Sequence, residues 1–320
     1  MLIKDIIKKI LPVIDFAAIP FVFLASLVLK PIRWIGVHHF PLCRKVFCRV
    51  GLFPIRNHYY EPLFDGRKLK PTSGQNRNLP GIDWNIDEQI ALLDNFSFNE
   101  ELETTLLEDD AGFQFGNHAF EAGDAEYLYN LIRLKKPARI FEIGSGYSTL
   151  VARKAIQKNC AEDPEYSCKH VCIEPYEMPW LEDVGVEVVR ERVEEVGLDL
   201  FLELEAEDLL FIDSSHMIRP QGDVLFECLE LLPSLAEGVC VHFHDIFSPR
   251  DYPRKWIVEE VRLWNEQYLL EAFLTDNRSW EIMGALNYLH HNHYNDLRST
   301  SPFLTPSHQP GSFYIQKRAR

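Results

Sequence analysis

The stretch Arg139-Ile-Phe-Glu142-Ile-Gly144-Ser-Gly146-Tyr-Ser148 decides the fold of this chain. An apolar run over Ala138–Glu142 ends in an acidic residue, two glycines spaced by one residue follow, and Ser148 opens a run with helical spacing. This order predicts a strand, a tight turn and a helix N-terminus, with which open α/β sheets hold nucleotide-like ligands. Because glycine has no Cβ, the backbone at Gly144 and Gly146 can turn sharply and approach a ligand closely.

The acidic residue before the turn indicates the charge of the ligand. A pyrophosphate at a helix N-terminus is repelled by a carboxylate such as that of Glu142, whereas an amino group is attracted. Thr149 stands where dinucleotide-binding turns carry a third glycine. A ligand with an amino group and a ribose but no phosphate, such as S-adenosylmethionine, therefore fits better. The alternative is a glycine turn that merely connects a strand and a helix.

Polar residues end several other predicted strands. They are Glu174 as the last residue of the second strand, Asp213 as that of the fourth, and His244 with Asp245 at the end of the fifth. The strands alternate with helical patterns, which predicts right-handed crossovers and a parallel sheet. Because the carboxyl ends of parallel strands meet at one edge, we expect these residues to line one crevice.

These segments together resemble the class I S-adenosylmethionine-dependent methyltransferases, specifically methyltransferase family 24. The resemblance covers about Phe113 to Ile315 and is carried, in the family's order, by Phe141–Ser148, Cys172–Pro175, Phe211–His216 and His242–Phe247. It implies an α/β, Rossmann-like fold with a seven-stranded, mostly parallel sheet in the order 3-2-1-4-5-7-6. The seventh strand is then antiparallel, with helices on both faces and a helical N-terminal extension.

The resemblance also implies roles for individual residues. Cofactor contacts are expected from Glu142, Gly144, Ser145, Gly146 and Ser148 at the methionine end, Glu174 at the ribose, Val193 at the adenine and Asp213 near the sulfonium.

Two readings of the catalytic chemistry stay open. His216 follows Asp213 by three residues, and a histidine of near-neutral pKa is a common general base for a hydroxyl acceptor. Alternatively, Asp213, His244 and Asp245 bind a divalent metal ion that lowers the pKa of the hydroxyl. This set resembles that of metal-dependent sugar O-methyltransferases, with His244 in place of a second carboxylate, and a nitrogen ligand suits Mn, Fe or Zn better than Mg.

The charge of the chain is divided unevenly. Before Asn57 the chain has nine lysines and arginines but only two acidic residues, Asp5 and Asp15, which gives this segment a net charge of +7. Because the whole chain has a net charge of −15, the remainder has a net charge of −22. An apolar, basic N-terminus on an acidic body predicts a membrane surface as partner and argues against nucleic acid. Leu11–Leu29 is close to the minimum length for a spanning helix, and spanning, surface-bound and buried arrangements stay open. The seven scattered cysteines are typical of reduced thiols in a cytosolic compartment.

The sequence thus predicts three parts: a membrane-associating segment over 1–56, a linker and accessory helix over 57–110, and a methyltransferase domain over 111–320. The predicted activity is methyl transfer from S-adenosylmethionine to a hydroxyl of a glycan, a lipid-linked saccharide or a small metabolite. The expected location is the cytoplasm, at the inner face of the cytoplasmic membrane, with an oligomer possible. The alternatives are a nicotinamide-dependent oxidoreductase and an inactive cofactor-fold scaffold at a membrane.

Overall fold

The computed structural model describes residues 2–56, 60–63, 68–70, 74–106 and 112–318, and the side chains of all of these except 2–9 and 103. The chain divides into two compact units, Met1–Leu69 and Lys70–Arg320. The boundaries predicted from sequence after residues 56 and 110 fall beside segments outside the described residues, and they stay predictions.

The second unit is built on one sheet of seven strands. Its strands are β1 Arg139–Ile143, β2 Lys169–Ile173, β3 Glu187–Val189, β4 Leu209–Ile212, β5 Cys240–Phe243, β6 Trp280–Ala285 and β7 Phe313–Lys317. The order is β3-β2-β1-β4-β5-β7-β6, and β7 pairs antiparallel with both of its neighbours. The predicted fold class, strand order and antiparallel seventh strand are therefore confirmed.

Helices cover both faces of this sheet. The α-helices of the described residues are α1 Leu2–Ile35, α2 Pro41–Val50, α3 Ile86–Asp94, α4 Asn99–Thr105, α5 Asp124–Lys135, α6 Tyr147–Glu162, α7 Val193–Val196, α8 Asp223–Phe226, α9 Leu232–Ser234, α10 Glu266–Leu274, α11 Leu286–Asn292 and α12 Tyr294–Ser299. Single π turns lie at Glu227–Leu231 and Lys255–Glu259, and 3₁₀ turns at Val37–His39, Leu181–Asp183 and Phe201–Glu203.

The alternation of side chains along the strands separates two hydrophobic cores. In β4, Leu209 and Phe211 pack in the core that includes α5 and α6, whereas Leu210 and Ile212 pack in the opposite core with residues of α10. Because successive side chains of a strand point to opposite faces, a strand with helices on both sides must be apolar throughout. All four residues of β4 are accordingly buried.

One predicted helix is interrupted. The pattern from Trp256 to Leu270 predicts a continuous helix, but the structure has only a π turn before α10 starts at Glu266. The backbone N–H groups of Asn265 and Glu266 both donate to the carbonyl of His216, at 3.0 and 3.3 Å. This tertiary contact determines where α10 begins, and helical periodicity carries no information about it.

The turn after β1 is the tightest backbone contact near the cofactor edge. Gly144 has φ +75°, and a Cβ at this position would lie 1.9 Å from the carbonyl oxygen of Asp213. The Asp213 N–H donates to the carbonyl of Ile143 at 2.8 Å, so the ends of β1 and β4 are bonded side by side. Gly146, by contrast, is extended, and its Cβ would make an ordinary 3.5 Å contact with Met178.

Replacing each glycine with alanine should separate these two situations. Gly144→Ala should lower the free energy of unfolding by ~4 kcal/mol, the upper end of the range for a single substitution. The reason is that the positive φ disfavours alanine and that its methyl group would overlap the Asp213 carbonyl. The free energy of unfolding of Gly146→Ala should lie within ~0.5 kcal/mol of that of the unsubstituted protein. Chemical denaturation of the two full-length variants measures the difference, and equal stabilities would show that the β1–β4 contact is looser than described.

Candidate active site

A cavity of about 550 Å³ lies at the carboxyl ends of β1, β2 and β4. This is within the range of about 300–1,000 Å³ that small-molecule sites occupy. Of the predicted cofactor residues, those that line it are Gly144, Ser145, Gly146, Ser148, Glu174, Val193 and Asp213. The fold therefore brings together, at one crevice, residues that are up to about seventy positions apart in the chain.

Several polar atoms in this cavity are left for a ligand. Oε1 of Glu174 accepts from the backbone N–H groups of Tyr176 and Glu177, each at 2.9 Å, and no described residue bonds Oε2. The buried Oγ of Ser145 has no hydrogen-bond partner. Because a buried polar atom without a partner is costly, these atoms fit the ribose and amino acid ends of a nucleoside ligand.

Apolar side chains complete the wall. Val193, at the start of α7, is buried and lines the cavity after β3. Ala119 and Phe120 line it from the segment that precedes α5, a contribution that the sequence did not indicate. Their only sequence signal is their place just before the helix that leads into β1.

Glu142 differs from its predicted placement. Strand β1 extends one residue further, to Ile143, so Glu142 points to the α6 face, is 1% exposed and does not line the cavity. Its Oε2 accepts from Ser148 Oγ at 3.1 Å and Thr149 Oγ1 at 2.9 Å, and its Oε1 is bonded to Nε2 of His170.

Glu142 therefore supports the cofactor turn from behind. The backbone N–H of Gly146 donates to Thr149 Oγ1 at 3.1 Å, so a hydrogen-bonded chain runs from the buried carboxylate through a hydroxyl to the turn. Thr149, which stands in place of a third glycine, supplies that hydroxyl. A direct contact of Glu142 with an amino group is not made in this geometry.

A second group of polar side chains adjoins Asp213. Ligand-type atoms of Asp213, His216 and Asp245 all lie within 4.8 Å of one another, as a metal-binding group requires. Nε2 of His216 lies 3.2 Å from Oδ1 of Asp213 and 3.8 Å from Oδ2 of Asp245. His216 and Asp245 both have φ +58°, a conformation that disfavours non-glycine residues and is often kept at functional sites.

The metal set of Asp213, His244 and Asp245 stays a prediction, and the structure differs from it in the position of His244, whose Nε2 lies 3.7 Å from Oδ1 of Asp245. Nε2 of His244 donates to the carbonyl of Ala119 at 3.2 Å, and the ring stands 5.3 Å from that of Phe120. His244 is thus directed toward the segment before α5, and His216 takes its place in the group. Spacing along β5 could not show this, because the loop after β4 folds back over the end of β5.

The surroundings of His216 also change its predicted role as a general base. Its Nδ1 donates to Oε2 of Glu266 at 2.8 Å, while Nε2 faces Asp213. Burial lowers the pKa of His216, but the hydrogen bonds to Asp213 and Glu266 outweigh it and raise the pKa well above the usual value. Conversely, burial raises the pKa of Asp213, but the hydrogen bond from His216 and the neighbouring histidines lower it to about 2. The raised pKa favours the imidazolium form of His216, which donates a proton rather than accepting one.

Glu266 is a site residue that the sequence did not reveal. It is 1% exposed, begins α10 and lies fifty residues from His216 in the chain. Burial and the charge of Glu266 raise the pKa of the nearby Glu227 carboxyl well above its usual value. No periodicity or motif marks Glu266, because its function depends on the contact of two distant loops.

The segment with this geometry matches a known family. Residues 141–246 match the family model described as a methyltransferase domain. The chain carries a class I S-adenosylmethionine-dependent methyltransferase domain. The match spans β1 to the end of β5, which includes the cofactor turn, Glu174, Asp213 and the residues after β5. The oxidoreductase alternative is not favoured.

The comparison with solved structures adds a distant likeness. An O-methyltransferase from Bacillus cereus in complex with SAH has 13% sequence identity and a TM-score of 0.37 over 71% of this chain and 100% of its own. At these values it carries no argument about the acceptor or the mechanism. No curated protein matches the chain.

The cavity predicts how the cofactor product binds. The full chain should bind S-adenosylhomocysteine with a dissociation constant in the micromolar range, and Glu174→Ala should weaken binding by about tenfold or more, since a buried hydrogen bond to a charged group contributes ~1.5–3 kcal/mol. Isothermal titration calorimetry measures both. Glu203→Ala, which removes a surface carboxylate paired with Lys169, is the matched control and should bind as the unsubstituted protein does. Binding of a nicotinamide dinucleotide instead would contradict the assignment.

His216 and His290 should differ in protonation state in metal-free protein at neutral pH. His216, whose pKa is raised, should stay protonated at pH 7.5, whereas His290, whose pKa burial lowers to about 4, should be neutral. The stabilisation from His216 should be complete below its unfolded pKa of about 6.5 and should be lost as the pH rises through the raised folded value. NMR of ¹⁵N-histidine-labelled protein in chelator, assigned with His216→Asn, tests this, and a neutral His216 at pH 7.5 would overturn it.

Proposed function

We propose that this enzyme transfers the methyl group of S-adenosylmethionine to a hydroxyl oxygen, with a divalent metal ion held by Asp213, His216 and Asp245. The observation that carries the proposal is the adjacency of this group to the cofactor cavity, since Asp213 belongs to both. A hydroxyl placed at this boundary would face the cofactor on one side and the metal ligands on the other.

The donor set fits a metal ion of intermediate softness. Two carboxylates and one imidazole are suited to Mn²⁺, Fe²⁺ or Zn²⁺ rather than to a purely oxygen-ligated Mg²⁺. The hydrogen bond from His216 Nδ1 to buried Glu266 leaves Nε2 as the ligand atom once its proton is displaced. A carboxylate behind a metal-binding histidine is the usual arrangement that fixes the ring and increases its basicity.

The reaction forms a C–O bond and breaks the S–CH₃ bond. The bound metal would lower the pKa of the acceptor hydroxyl, whose proton is released to solvent. The carboxylates of Asp213 and Asp245 would offset the positive charge of the metal ion, and His216 would be its third ligand. The backbone turn at Gly144 would position the cofactor beside these residues. Electrostatic positioning of this kind requires no separate protein base at His216.

The acceptor is proposed to be a hydroxyl on a glycan, a lipid-linked saccharide or another small metabolite. Partly exposed aromatic side chains lie beside the metal group: the ring of Trp264 is 4.1 Å from that of His216, and Trp256 is 5.3 Å from Trp264. The guanidinium of Arg262 lies over both indole rings, 4.3 Å from the centroid of Trp256 and 4.5 Å from that of Trp264. The edges of these rings and the Arg262 cation suit a sugar or another polar ring. A membrane location is proposed from the first unit, where Ile10–Ile35 is a helix long and apolar enough to cross a bilayer and is not buried.

Transfer of a labelled methyl group tests the activity. Purified full chain with radiolabelled S-adenosylmethionine and Mn²⁺ should label a hydroxyl-bearing component among fractionated lipids and glycans of the source cell. Asp213→Asn should abolish labelling, because Asp213 adjoins both the cofactor cavity and the metal group. Labelling that appears only on amine or thiol acceptors would overturn the hydroxyl assignment.

Metal binding can be measured without turnover. Glu266→Gln should weaken Mn²⁺ binding by about tenfold to a hundredfold, since partners behind metal ligands typically contribute this much. Electron paramagnetic resonance counts free Mn²⁺ directly. Glu281→Gln, in a surface ion pair with Arg318, is the matched control and should bind Mn²⁺ unchanged. Unaltered Mn²⁺ affinity in both Glu266→Gln and Asp245→Asn would remove the metal site from the proposal.

A further inference from the structure

Helix α2 has an apolar side and a basic side. At about 100° per residue, Leu42, Val46 and Val50 fall on one side, with Cys43 and Phe47 beside them. The rest of the circumference carries Arg44, Lys45 and Arg49, with Arg49 at the border, only about 20° from Leu42, and the helix contains no acidic residue. This is the pattern of a helix that lies in the plane of a membrane interface.

The apolar face has no protein covering it in the described part of the chain. Leu42, Val46 and Val50 are 75%, 57% and 69% exposed, and α2 has no buried residue. Three branched aliphatic side chains in a row would remain in water at a cost of ~1.5–3 kcal/mol each relative to an apolar environment.

The charges around α2 are similarly uncompensated. Between Asp15 and Glu61 the chain has six lysines and arginines and no acidic residue. Glu61 is bonded to Arg33 and Arg56, which leaves Arg44, Lys45 and Arg49 without an ion-pair partner among the described residues. A surface that binds these cations must itself be anionic.

The two helices of the first unit are joined in a way that suits one bilayer. The apolar helix ends at Ile35, next to the exposed Trp34, and a single turn at Val37–His39 leads into α2. Arg33, at that end, is bonded to Glu61 and stands over the ring of Phe53, and Phe53 packs against Phe47 of α2. The chain after α2 is thus tied back to the end of the apolar helix.

We propose that α2 lies in the headgroup layer of an anionic phospholipid bilayer, with Leu42, Val46 and Val50 among the acyl chains and Arg44, Lys45 and Arg49 at the phosphates. This deepens the membrane location proposed above and is independent of methyl transfer. A basic face of this kind makes the position of α2 depend on lipid charge, because each cation near an anionic surface contributes separately. The apolar helix anchors the chain, and α2 selects the lipid.

Two native cysteines permit a direct test. Cys43 lies on the apolar face and Cys48 lies about 140° away, on the basic side of the helix. In full-length protein, Cys160→Ser and Cys168→Ser would remove the accessible cysteines outside α2. Adding Cys48→Ser would leave Cys43 for one environment-sensitive dye, and adding Cys43→Ser instead would leave Cys48. It would be placed in nanodiscs of phosphatidylcholine with or without phosphatidylglycerol, with brominated acyl chains as quencher.

In anionic discs the dye at Cys43 should be quenched several-fold more than the dye at Cys48. The quenching should fall toward that of neutral discs when Arg44, Lys45 and Arg49 are all replaced by Gln, and also in high salt, which screens surface charges. Replacing Lys136, Lys158 and Arg278 by Gln removes the same charge from the second unit and should leave the quenching unchanged.

Three outcomes would overturn the proposal. Equal quenching in neutral and anionic discs would show a bilayer contact without charge selection. Absence of quenching at both cysteines would place α2 away from the lipid. A blue-shifted, concentration-dependent signal from Cys43 in detergent alone would show that a second copy of the chain covers the apolar face. Binding of S-adenosylhomocysteine, measured on the same protein, separates each of these from failure of the methyltransferase site.

Discussion

The close contact between the turn after β1 and the end of β4 is the constraint on which the site depends. Gly144 has no room for a Cβ against the Asp213 carbonyl, and the Asp213 N–H is bonded to the carbonyl of Ile143. One contact therefore positions both the turn that borders the cavity and the Asp213 carboxylate, which adjoins His216 and Asp245. Since β1 and β4 are central strands with cores on both faces, the contact is held rigidly.

Two buried carboxylates organise the side chains around this contact without entering the cavity. Glu142 ties His170 of β2 to the first turn of α6, and Glu266 ties the loop after β4 to the start of α10. Both oxygens of Glu142 and Oε2 of Glu266 are hydrogen-bonded, which helps to make a buried carboxylate tolerable. Their common effect is to orient groups that face the ligand, the Gly146 turn in one case and the His216 ring in the other.

Much of the fold was accessible from sequence because it depends on local patterns. Apolar runs ended by Glu174 and Asp213 marked strands, and their alternation with helices gave a parallel sheet; the strand order came from the family resemblance. The site was predictable only in part. Residues next to strand ends, such as Gly144 and Glu174, reach the cavity, but Glu142 does not, because β1 continues for one residue more and the side chain turns to the other face.

The sequence by itself determined the class of fold, the edge of the sheet where ligands bind, and the apolar, basic character of the segment before Asn57. These follow from periodicity and from residue types at fixed spacing. Only the tertiary structure decided that His216 rather than His244 joins Asp213 and Asp245, and that Glu266 stands behind His216. The physical reason is that these contacts join loops up to fifty residues apart, and their geometry is set by how the strands pack, not by any local preference of the chain.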